Sequence, residues 1–438
     1  MAKILLIGNG ARENVIAETL KKNNETVLYS YLKAKNPGIV SLSKEFEIGN
    51  YNDLQKIKHF AQKTKPDFAV IGPEDPLNSG VVDLLNELGI ASVGPTKNLA
   101  RLETSKSFTR NLLRKYKIEG NPKFEIFNKN NIEDAKKFID ELEQCVIKPD
   151  GLTGGKGVKV QGDHFNTKKE ALNYCNEVLQ THPAVIVEEK LEGEEFSLQC
   201  LTDGKSVIAT PPVQDHKRAF VGDKGPNTGG MGSYSCENHL LPFLTKKDVE
   251  DGLKITQKVA EAIHKETGQY YKGIMYAGLI VTKNGVKLLE YNARFGDPEA
   301  MNVLPLMETG FVDVCKAIIS QQLHKIKIKF QKKATVCKYL VPQGYPDNPL
   351  KNKKIIVGKI PKNAKMYYAS VEQKENDLYA TTSRAIACLG IADNLEKAEK
   401  IAEETTKSIK GKLFHREDIG TKQLIEKRVM HMKEILKK

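Results

Sequence analysis

Apolar strands alternate with helices through the first 103 residues, and this alternation limits the fold more than any other feature. The segment KILLIGNGARENVIAETLKK at 3–22 predicts a strand, a glycine turn and a helix, since four apolar residues precede apolar residues at helical spacing. Further strands are predicted in TVLYSYL, PDFAVI and IASV, and helices in YNDLQKIKHFAQKT and SGVVDLLNELG. Such alternation forms parallel sheets with right-handed crossovers, so residues 1–103 are predicted to be an open α/β domain.

Beyond residue 103 the pattern changes to strands joined by glycine turns, which is typical of antiparallel sheets. Helices are predicted in TSKSFTRNLLRKY and at 132–142 and 246–267, and strands in PKFEIF, between 184 and 214, and in MYAGLIVTKNGVKLLEYN. A last unit of strand, strand and helix is predicted from residue 331 and ends in the basic helix KQLIEKRVMHMKEILKK. Because 438 residues exceed what one hydrophobic core usually serves, a multidomain α/β and α+β protein is predicted.

Charge and cysteine content limit the partners. The formal net charge is +13, which favours anionic partners such as phosphorylated metabolites, while the lack of a zinc-finger or RNP-type motif argues against nucleic acid. A solvated basic surface without a partner is the simpler interpretation of the charge. The seven cysteines form no CxxC pair, which predicts reduced thiols and a cytoplasmic protein. Every apolar stretch is shorter than a membrane span, so no membrane is predicted.

The segment CVIKPDGLTGGKGVKV at 145–160 is a candidate nucleotide-binding element. A Walker loop would need glycine where Asp150 stands and serine or threonine where Gly157 stands. Apolar residues flank the glycines on both sides, which is typical of a hairpin. Strand, turn and strand are therefore predicted.

Two segments of the first domain follow predicted strands. GNGARE at 8–13 also opens a helix, a context in which backbone amides bind phosphate, although Glu13 replaces the third glycine of a dinucleotide fingerprint. A purely structural turn is the alternative. GPEDPLNSG at 72–80 is predicted to be a polar loop, in which Glu74 and Asp75 could accept hydrogen bonds from a ligand.

Polar side chains alternate along the predicted strand LLEYN and just beyond it. Residues two apart on a strand face the same side, so Glu290, Asn292 and Arg294 are predicted to share one face. A carboxylate and an amide oxygen suit Mg²⁺, and an arginine there would meet an anion. Three polar groups would be costly in a core, which favours a site over a structural role.

Two further segments are charged. IVEEKLEGEEFS places Glu188 at a strand end and Glu195 in the next strand, where a carboxylate could accept hydrogen bonds from a ribose; a charged surface turn is as consistent. The segment at 216–239 has five glycines and little periodicity, and it is predicted to be a long functional loop. It includes Lys217 and follows Asp215.

Ten short motifs in one order carry a resemblance that covers nearly the whole chain. They are GxGxRE, GPEDPL, GPTKNLARLETSK, KPDGLTGGKGV, EEKLEGEEFS, QDHKRAF, GPNTGGMGSYS, EYNARFGDPE, YATTSRAIACLG and FHREDIGTKQLI. Together they resemble the phosphoribosylamine-glycine ligase (glycinamide ribonucleotide synthetase) family of the ATP-grasp superfamily. The resemblance implies an N-terminal pre-ATP-grasp domain at 1–103, an ATP-grasp domain at 104–330 with a lid at about 124–186, and a C-terminal domain at 331–438.

The resemblance also implies a reaction. ATP, glycine and 5-phosphoribosylamine would give glycinamide ribonucleotide, ADP and phosphate through glycyl phosphate, in de novo purine biosynthesis. It implies catalytic roles for Arg294, Asp215, Lys217 and Arg218, with Mg²⁺ or Mn²⁺ on Glu290 and Asn292. ATP is expected at Lys106, Lys148, Gly154, Gly155, Lys156, Gly157, Glu188, Glu189, Leu191 and Glu195. The other substrates are expected at Gly8, Asn9, Gly10, Glu74, Asn227, Thr228, Gly229 and Gly230.

The sequence departs from the family pattern at three positions. Asn14 stands where many relatives have histidine, Pro149 where they have alanine, and Gly278 where archaeal relatives often have a glutamine metal ligand. A monomer is implied. The rival interpretations are another ATP-grasp ligase with a different acyl donor, such as a carboxylase, and a binding protein that has lost catalysis. The retained lysines, metal ligands and arginine argue against the second.

Overall fold

Five parallel strands form the sheet of the N-terminal part. The computed structural model describes residues 1–154 and 157–437 of the chain. The first elements are β1 Ala2–Ile7, α1 Ala11–Lys21, β2 Thr26–Leu32, α2 Pro37–Val40, β3 Glu45–Ile48, α3 Leu54–Thr64, β4 Phe68–Ile71, α4 Glu74–Ser79, α5 Val81–Glu87 and β5 Ala91–Val93. The strand order is β3-β2-β1-β4-β5, and every pairing is parallel. The predicted open parallel sheet is confirmed.

The strand order places a switch point between β1 and β4, where the loops that follow both strands open a crevice. The segment after β4 was predicted to be a polar loop, and this is wrong, because it forms the helix α4. Glu74 and Asp75 lie in the first turn, where carboxylates interact favourably with the helix dipole. Pro76 is tolerated there because the first-turn N–H groups have no intrahelical partner.

A separate antiparallel sheet, here called the lid sheet, spans residues 124–189. Its strands, the helices that pack on them and the two preceding helices are α6 Arg101–Thr104, α7 Lys106–Lys115, β6 Phe124–Phe127, α8 Glu133–Glu141, β7 Cys145–Pro149, β8 Lys159–Val160, α9 Lys168–Thr181 and β9 Val185–Glu189. The strand order is β6-β9-β7-β8. The lid sheet has its own core, which includes Ile139, Ile147, Cys175 and Val187. The predicted hairpin is present as β7 and β8, while Gly155 and Lys156 lie outside the described residues.

The central part is a second antiparallel sheet. Its elements are β10 Glu194–Thr202, β11 Val207–Ala209, β12 Gln214–Asp215, β13 Arg218–Phe220, β14 Lys224–Asn227, β15 Gly232–Ser235, α10 Lys246–Thr267, β16 Gly273–Thr282 and β17 Gly285–Asn292. The sheet has the order β11-β10-β16-β17, and α10 packs on it. These elements confirm the predicted antiparallel sheet and the helix at 246–267.

The prediction of a loop at 216–239 is wrong in part. β13 and β14 form a two-stranded hairpin, and β15 joins a larger sheet through β12. The turn of the hairpin passes through Gly222 and Asp223, whose φ angles are 77° and 60°. Glycine and aspartate tolerate this left-handed conformation. Strands of three or four residues are too short to show a period of two, which is why the pattern hid them.

The C-terminal part contains more strands than predicted. Its elements are α11 Glu299–Val303, α12 Phe311–Ile319, β18 Ala334–Pro342, β19 Lys353–Val357, β20 Ala364–Tyr368, β21 Val371–Lys374, β22 Asp377–Ala380, β23 Ile386–Ala392, α13 Leu395–Lys407, β24 Ile409–Lys410, β25 Leu413–Phe414 and α14 Lys422–Lys437, with 3₁₀ helices at Leu304–Leu306 and Leu323–Lys325. One sheet runs β12-β15-β18-β23-β20, so it unites central and C-terminal strands. A second runs β21-β22-β19-β24. Among the described residues, no helix has the length and apolarity that crossing a membrane requires.

Candidate active site

A cavity of about 940 Å³ lies where the lid sheet meets the N-terminal, central and C-terminal parts. It brings together residues that the sequence spreads over more than 200 positions. The predicted site residues in its lining are Glu74, Lys106, Lys148, Gly154, Glu188, Glu189, Leu191, Glu195, Asp215, Lys217, Arg218, Asn227, Thr228, Gly229, Glu290, Asn292 and Arg294. The predicted residues outside the lining are Gly8, Asn9, Gly10, Gly157 and Gly230. Gly155 and Lys156 lie outside the described residues.

A buried charge cluster anchors the lid sheet to the central sheet. Arg110 donates to both carboxylate oxygens of Glu188, at 2.6 and 2.9 Å, and Lys148 Nζ lies 2.8 Å from Glu188 Oε2. The Leu289 carbonyl accepts from Arg110 at 2.8 Å and from Lys148 at 3.1 Å. Leu289 is the extra residue of a bulge in β17, since Leu288 and Glu290 pair with adjacent residues of β16.

Glu188 lies in the cavity lining, where an ATP contact was predicted. Its carboxylate is 4% exposed and pairs with two cations, one of which is Lys148. Burial opposes its ionisation, but Arg110 and Lys148 lower the pKa of Glu188 below its usual value. Burial in turn lowers the pKa of Lys148, which Glu188 partly offsets.

The hairpin of the lid sheet is also tied to helix α7. Lys106 Nζ donates to the Gly151 carbonyl at 2.8 Å. Asp150 accepts from the Ser107 backbone N–H at 3.1 Å and from the Ser107 hydroxyl. Both predicted lysines, Lys106 and Lys148, therefore lie at the junction between the lid sheet and the rest of the cavity wall.

Glu290 and Asn292 both line the cavity from β17, as predicted from their alternation. The Glu290 side chain is 37% exposed and its Oε1 lies 3.9 Å from Lys217 Nζ. Burial opposes ionisation, yet Lys217, Lys148 and Lys106 lower the pKa of Glu290. An ionised carboxylate beside an amide oxygen is a donor set that suits a hard divalent cation.

Arg294 is fixed between two carboxylates from the N-terminal side of the cavity. Its Nε donates to Glu74 Oε2 at 3.1 Å and its Nη2 lies 3.0 Å from Glu103 Oε1. Burial opposes ionisation, but Arg294 and Arg12 lower the pKa of Glu74 to about 2. Burial raises the pKa of Glu103 to about 7, which Arg294 partly offsets. The guanidinium is thus oriented before any ligand binds.

Asp215 also lines the cavity, and its carboxylate lies close to Gly230 because that residue has no side chain. A Cβ at Gly230 would come within 2.6 Å of Asp215 Oδ1, and the φ of Gly230 is 107°. Burial and the nearby Glu299 carboxylate raise the pKa of Asp215 well above its usual value. Because burial destabilises the ionised form of this carboxylate, a cationic ligand beside it would stabilise that form strongly.

Lys217 lies near two carboxylates of the cavity, Glu195 and Glu290. Its Nζ lies 3.8 Å from Glu195 Oε2 as well as near Glu290, and it is 43% exposed. Burial opposes protonation, but Glu195, Glu290 and Asp215 raise the pKa of Lys217. Glu195 is 58% exposed, so its carboxylate is available to a ligand in the cavity.

Arg218 links this wall of the cavity to the lid sheet. Its Nη2 donates to Asp163 Oδ2 at 2.6 Å, and its Nη1 to the Gly225 carbonyl at 2.9 Å. Asp163 follows β8, so the ion pair joins the two walls that enclose the cavity.

The loop after β1 lies beside the cavity. The Gly10 N–H donates to the Glu13 carboxylate, which also accepts from Arg12. A Cβ at Gly8 would meet Glu13 at 2.2 Å, so glycine is required there. Asn9 Oδ1 accepts from the Ala34 N–H at 3.2 Å. Glu13 therefore already occupies the N-terminus of α1.

Family comparison gives this cavity its context. Family models of phosphoribosylglycinamide synthetase match the chain in three parts, the N domain at 2–103, the ATP-grasp (A) domain at 104–300 and the C domain at 335–422. The chain belongs to the phosphoribosylglycinamide synthetase family. A phosphoribosylamine–glycine ligase of Methanocaldococcus jannaschii is 51% identical over an alignment of 443 positions that covers 99% of each chain.

Solved structures show the same architecture. A phosphoribosylamine–glycine ligase from Thermotoga maritima superposes with a TM-score of 0.80 at 27% identity, over 95% of this chain and 99% of that one. An N5-carboxyaminoimidazole ribonucleotide synthetase from Thermotoga maritima has a TM-score of 0.63 at 15% identity, over 94% of this chain and 99% of that one. The second likeness concerns the fold alone.

Sequence reasoning missed several charged residues of this synthetase cavity. Arg12, Glu103, Arg110 and Glu299 all line it, as does Arg384, which donates to the Gly229 and Gly230 carbonyls at 2.6 and 2.9 Å. All but Arg110 fall inside motifs that carried the family resemblance. The motifs could therefore have indicated these residues. The contacts that the residues make could not be predicted, because their partners lie far away in the sequence.

Proposed function

We propose that this member of the phosphoribosylglycinamide synthetase family is an ATP-dependent carbon–nitrogen ligase of de novo purine biosynthesis. It joins glycine to 5-phosphoribosylamine and releases glycinamide ribonucleotide, ADP and phosphate. The observation that carries the proposal is the 51% identity to a named ligase across the whole chain. One cavity holding Lys148, Glu290, Arg294 and Asp215 supports it.

The reaction needs activation of a carboxylate. A glycine carboxylate oxygen attacks the γ-phosphorus of ATP, the bond to ADP breaks, and glycyl phosphate forms. The amine of phosphoribosylamine then attacks the acyl carbon, phosphate leaves with the former carboxylate oxygen, and the amine loses a proton. Since no enzyme nucleophile is required, the residues act by orientation and charge.

Each substrate has a proposed place. Lys106 and Lys148 face the ATP phosphates, and Glu195 accepts from the ribose of ATP. Arg294 holds the glycine carboxylate while Asp215 holds its ammonium group. The Arg294 guanidinium is already oriented by Glu74 and Glu103, which reduces the entropy lost on binding.

A divalent ion, Mg²⁺ or Mn²⁺, is proposed on Glu290 and Asn292. Both donors are hard oxygen ligands, and Mg²⁺ commonly takes one or two protein ligands and shares the phosphate oxygens of its substrate. When bound, the ion would offset negative charge on the transferring phosphoryl group. Lys217, near Glu290 and Glu195, would add positive charge beside the same phosphates.

Phosphoribosylamine is proposed to lie at the switch point between β1 and β4, beside Gly8, Asn9, Gly10 and Glu74. The segment 227–230 would close this side, since Thr228 donates to the Lys217 carbonyl at 2.8 Å and Arg384 holds the next two carbonyls. The remaining predictions, namely domain boundaries near 103 and 330, a monomer and a cytoplasmic location, belong to this proposal.

Isotope transfer tests the chemistry. Glycine labelled with ¹⁸O in both carboxylate oxygens should give phosphate that carries one ¹⁸O and a product amide that retains the other. Unlabelled phosphate formed alongside the product would contradict a glycyl phosphate route. Turnover with bicarbonate in place of glycine would favour a carboxylase.

A further inference from the structure

The C-terminal helix α14 reaches the cavity, although the matched C domain stops at residue 422. Arg428 and His431, both on α14, belong to the cavity lining. The buried side chains of Leu424, Met432 and Ile435 seat the helix, which contacts strands β10 and β16. The proposed function assigns no role to this helix.

Arg428 lies between two carboxylates from different elements. Its Nη2 donates to Asp223 Oδ2 at 2.6 Å, and its Nε lies 3.6 Å from Glu194 Oε2. His431 Nδ1 lies 2.6 Å from the other oxygen of Glu194. Glu194 is 4% exposed, and a buried carboxylate without its partners is costly. Arg428 thus connects Asp223 to Glu194.

Each of these two carboxylates belongs to an element that carries site residues. Asp223 is at the turn of the β13–β14 hairpin, whose strands bear Arg218 and Asn227. Glu194 precedes Glu195 on β10. Glu194 and Glu195 both line the cavity, so helix α14 holds β10 directly beside a predicted ATP-binding residue.

We propose that Arg428, assisted by His431, is a positioning residue that holds the β13–β14 hairpin at a fixed place relative to strand β10. This inference rests on the proposed function, because it concerns the alignment of phosphoribosylamine and ATP in the same cavity. In the proposed function, Asn227 of the hairpin serves phosphoribosylamine and Glu195 of β10 serves ATP. A shift of about 1 Å between them would misalign the reacting groups, and such misplacement can cost about a hundredfold in rate.

Three variants on the same helix separate positioning from stability. Arg428→Gln is expected to lower kcat/KM for phosphoribosylamine by about 10- to 100-fold and to speed amide hydrogen exchange over residues 218–227. Lys433→Gln removes the same charge from an exposed position and should change neither quantity. Leu424→Ala removes a buried side chain without changing charge and should lower the thermal midpoint while kcat/KM stays near wild type.

A double variant tests whether one contact is responsible. Asp223→Asn weakens the contacts of this carboxylate with both Arg428 and Arg416, so it should cost at least as much as Arg428→Gln. Arg428→Gln combined with Asp223→Asn should lose little more than Asp223→Asn alone. If Arg428→Gln does not fold, His431→Gln replaces it, since that imidazole is 42% exposed. The same two measurements then apply.

The outcomes are distinct. Unchanged kcat/KM in Arg428→Gln, or an equal loss in Leu424→Ala, would overturn the inference. Unchanged hydrogen exchange over 218–227 would also overturn it. Because exchange is measured without substrates, that result stands even if the wild-type protein proves to have no ligase activity, which would contradict the proposed function separately.

Discussion

At the scale of single residues, the site combines cations that ion pairs hold in place with carboxylates that line the cavity. Arg294 is held by the buried Glu103 from a distant part of the chain, and Lys148 by the buried Glu188 from the neighbouring strand of the lid sheet. The alternation along β17 was enough to predict Glu290, Asn292 and Arg294 as one group. The partners of Arg294 could not be predicted, because nothing local marks a contact such as the one with Glu74, 220 positions away.

The Glu290 carboxylate is expected to be needed for turnover and dispensable for folding. Glu290→Gln should lower kcat by at least about a hundredfold, since charge on the phosphates would lose its metal counter-ion. The thermal midpoint should stay near wild type, because the side chain lies at the cavity surface. Glu87→Gln, at an exposed position of α5, is the matched control. A near-normal rate at low Mg²⁺ would count against the metal site.

Glycine binding is expected to release a proton from Asp215. Burial and Glu299 raise the pKa of Asp215 in the empty site, so protonation competes with the glycine ammonium group. Affinity for glycine should therefore fall as pH is lowered, and binding should release protons. Calorimetry in two buffers of different ionisation enthalpy measures this release, which should vanish in Asp215→Asn and persist in the exposed control Asp347→Asn. Equal release from both variants would exclude Asp215 as the source.

At the scale of elements, two hairpins enclose the cavity from opposite sides. The β7–β8 hairpin was predictable, because apolar strands flank its glycines. The β13–β14 hairpin was not, because its strands are short and their positions depend on contacts with Arg416 and Arg428 far along the chain. The short helix α4 was missed for a similar reason, since its proline and acidic residues are equally common in turns.

The ion pair between Arg218 and Asp163 should help to hold the lid sheet closed. It is partly exposed, and such pairs contribute about 0.2–1 kcal/mol. Asp163→Asn should therefore raise the KM for ATP by at most about fivefold, and the difference should shrink in high salt. Asp140→Asn, exposed on α8, is the control. A salt-independent effect, or the same effect in the control, would argue against this contact.

At the scale of the molecule, the lid sheet has a core of its own, whereas one continuous core joins the N-terminal, central and C-terminal parts. Hydrogen exchange in β7 and β9 should therefore be faster than in β10 and β16, and ATP should slow it. Proteolysis between Gly151 and Gly157 should slow on adding ATP as well. Equal protection of both sheets without ATP would mean that the lid sheet is fixed.

Much of the global architecture followed from periodicity, while the union of central and C-terminal strands in one sheet did not. The pairing of β15 with β18 joins residues about 100 positions apart, and short buried strands give no signal of such a partner. The identity of the substrates was predicted from the family resemblance, because neither the charge nor the fold identifies them.

ATP turnover with each combination of substrates tests the central claim most directly. ADP release should require both glycine and 5-phosphoribosylamine, and glycinamide ribonucleotide should form in equal amount. ADP release that ignores glycine, or that proceeds with bicarbonate instead, would contradict the account.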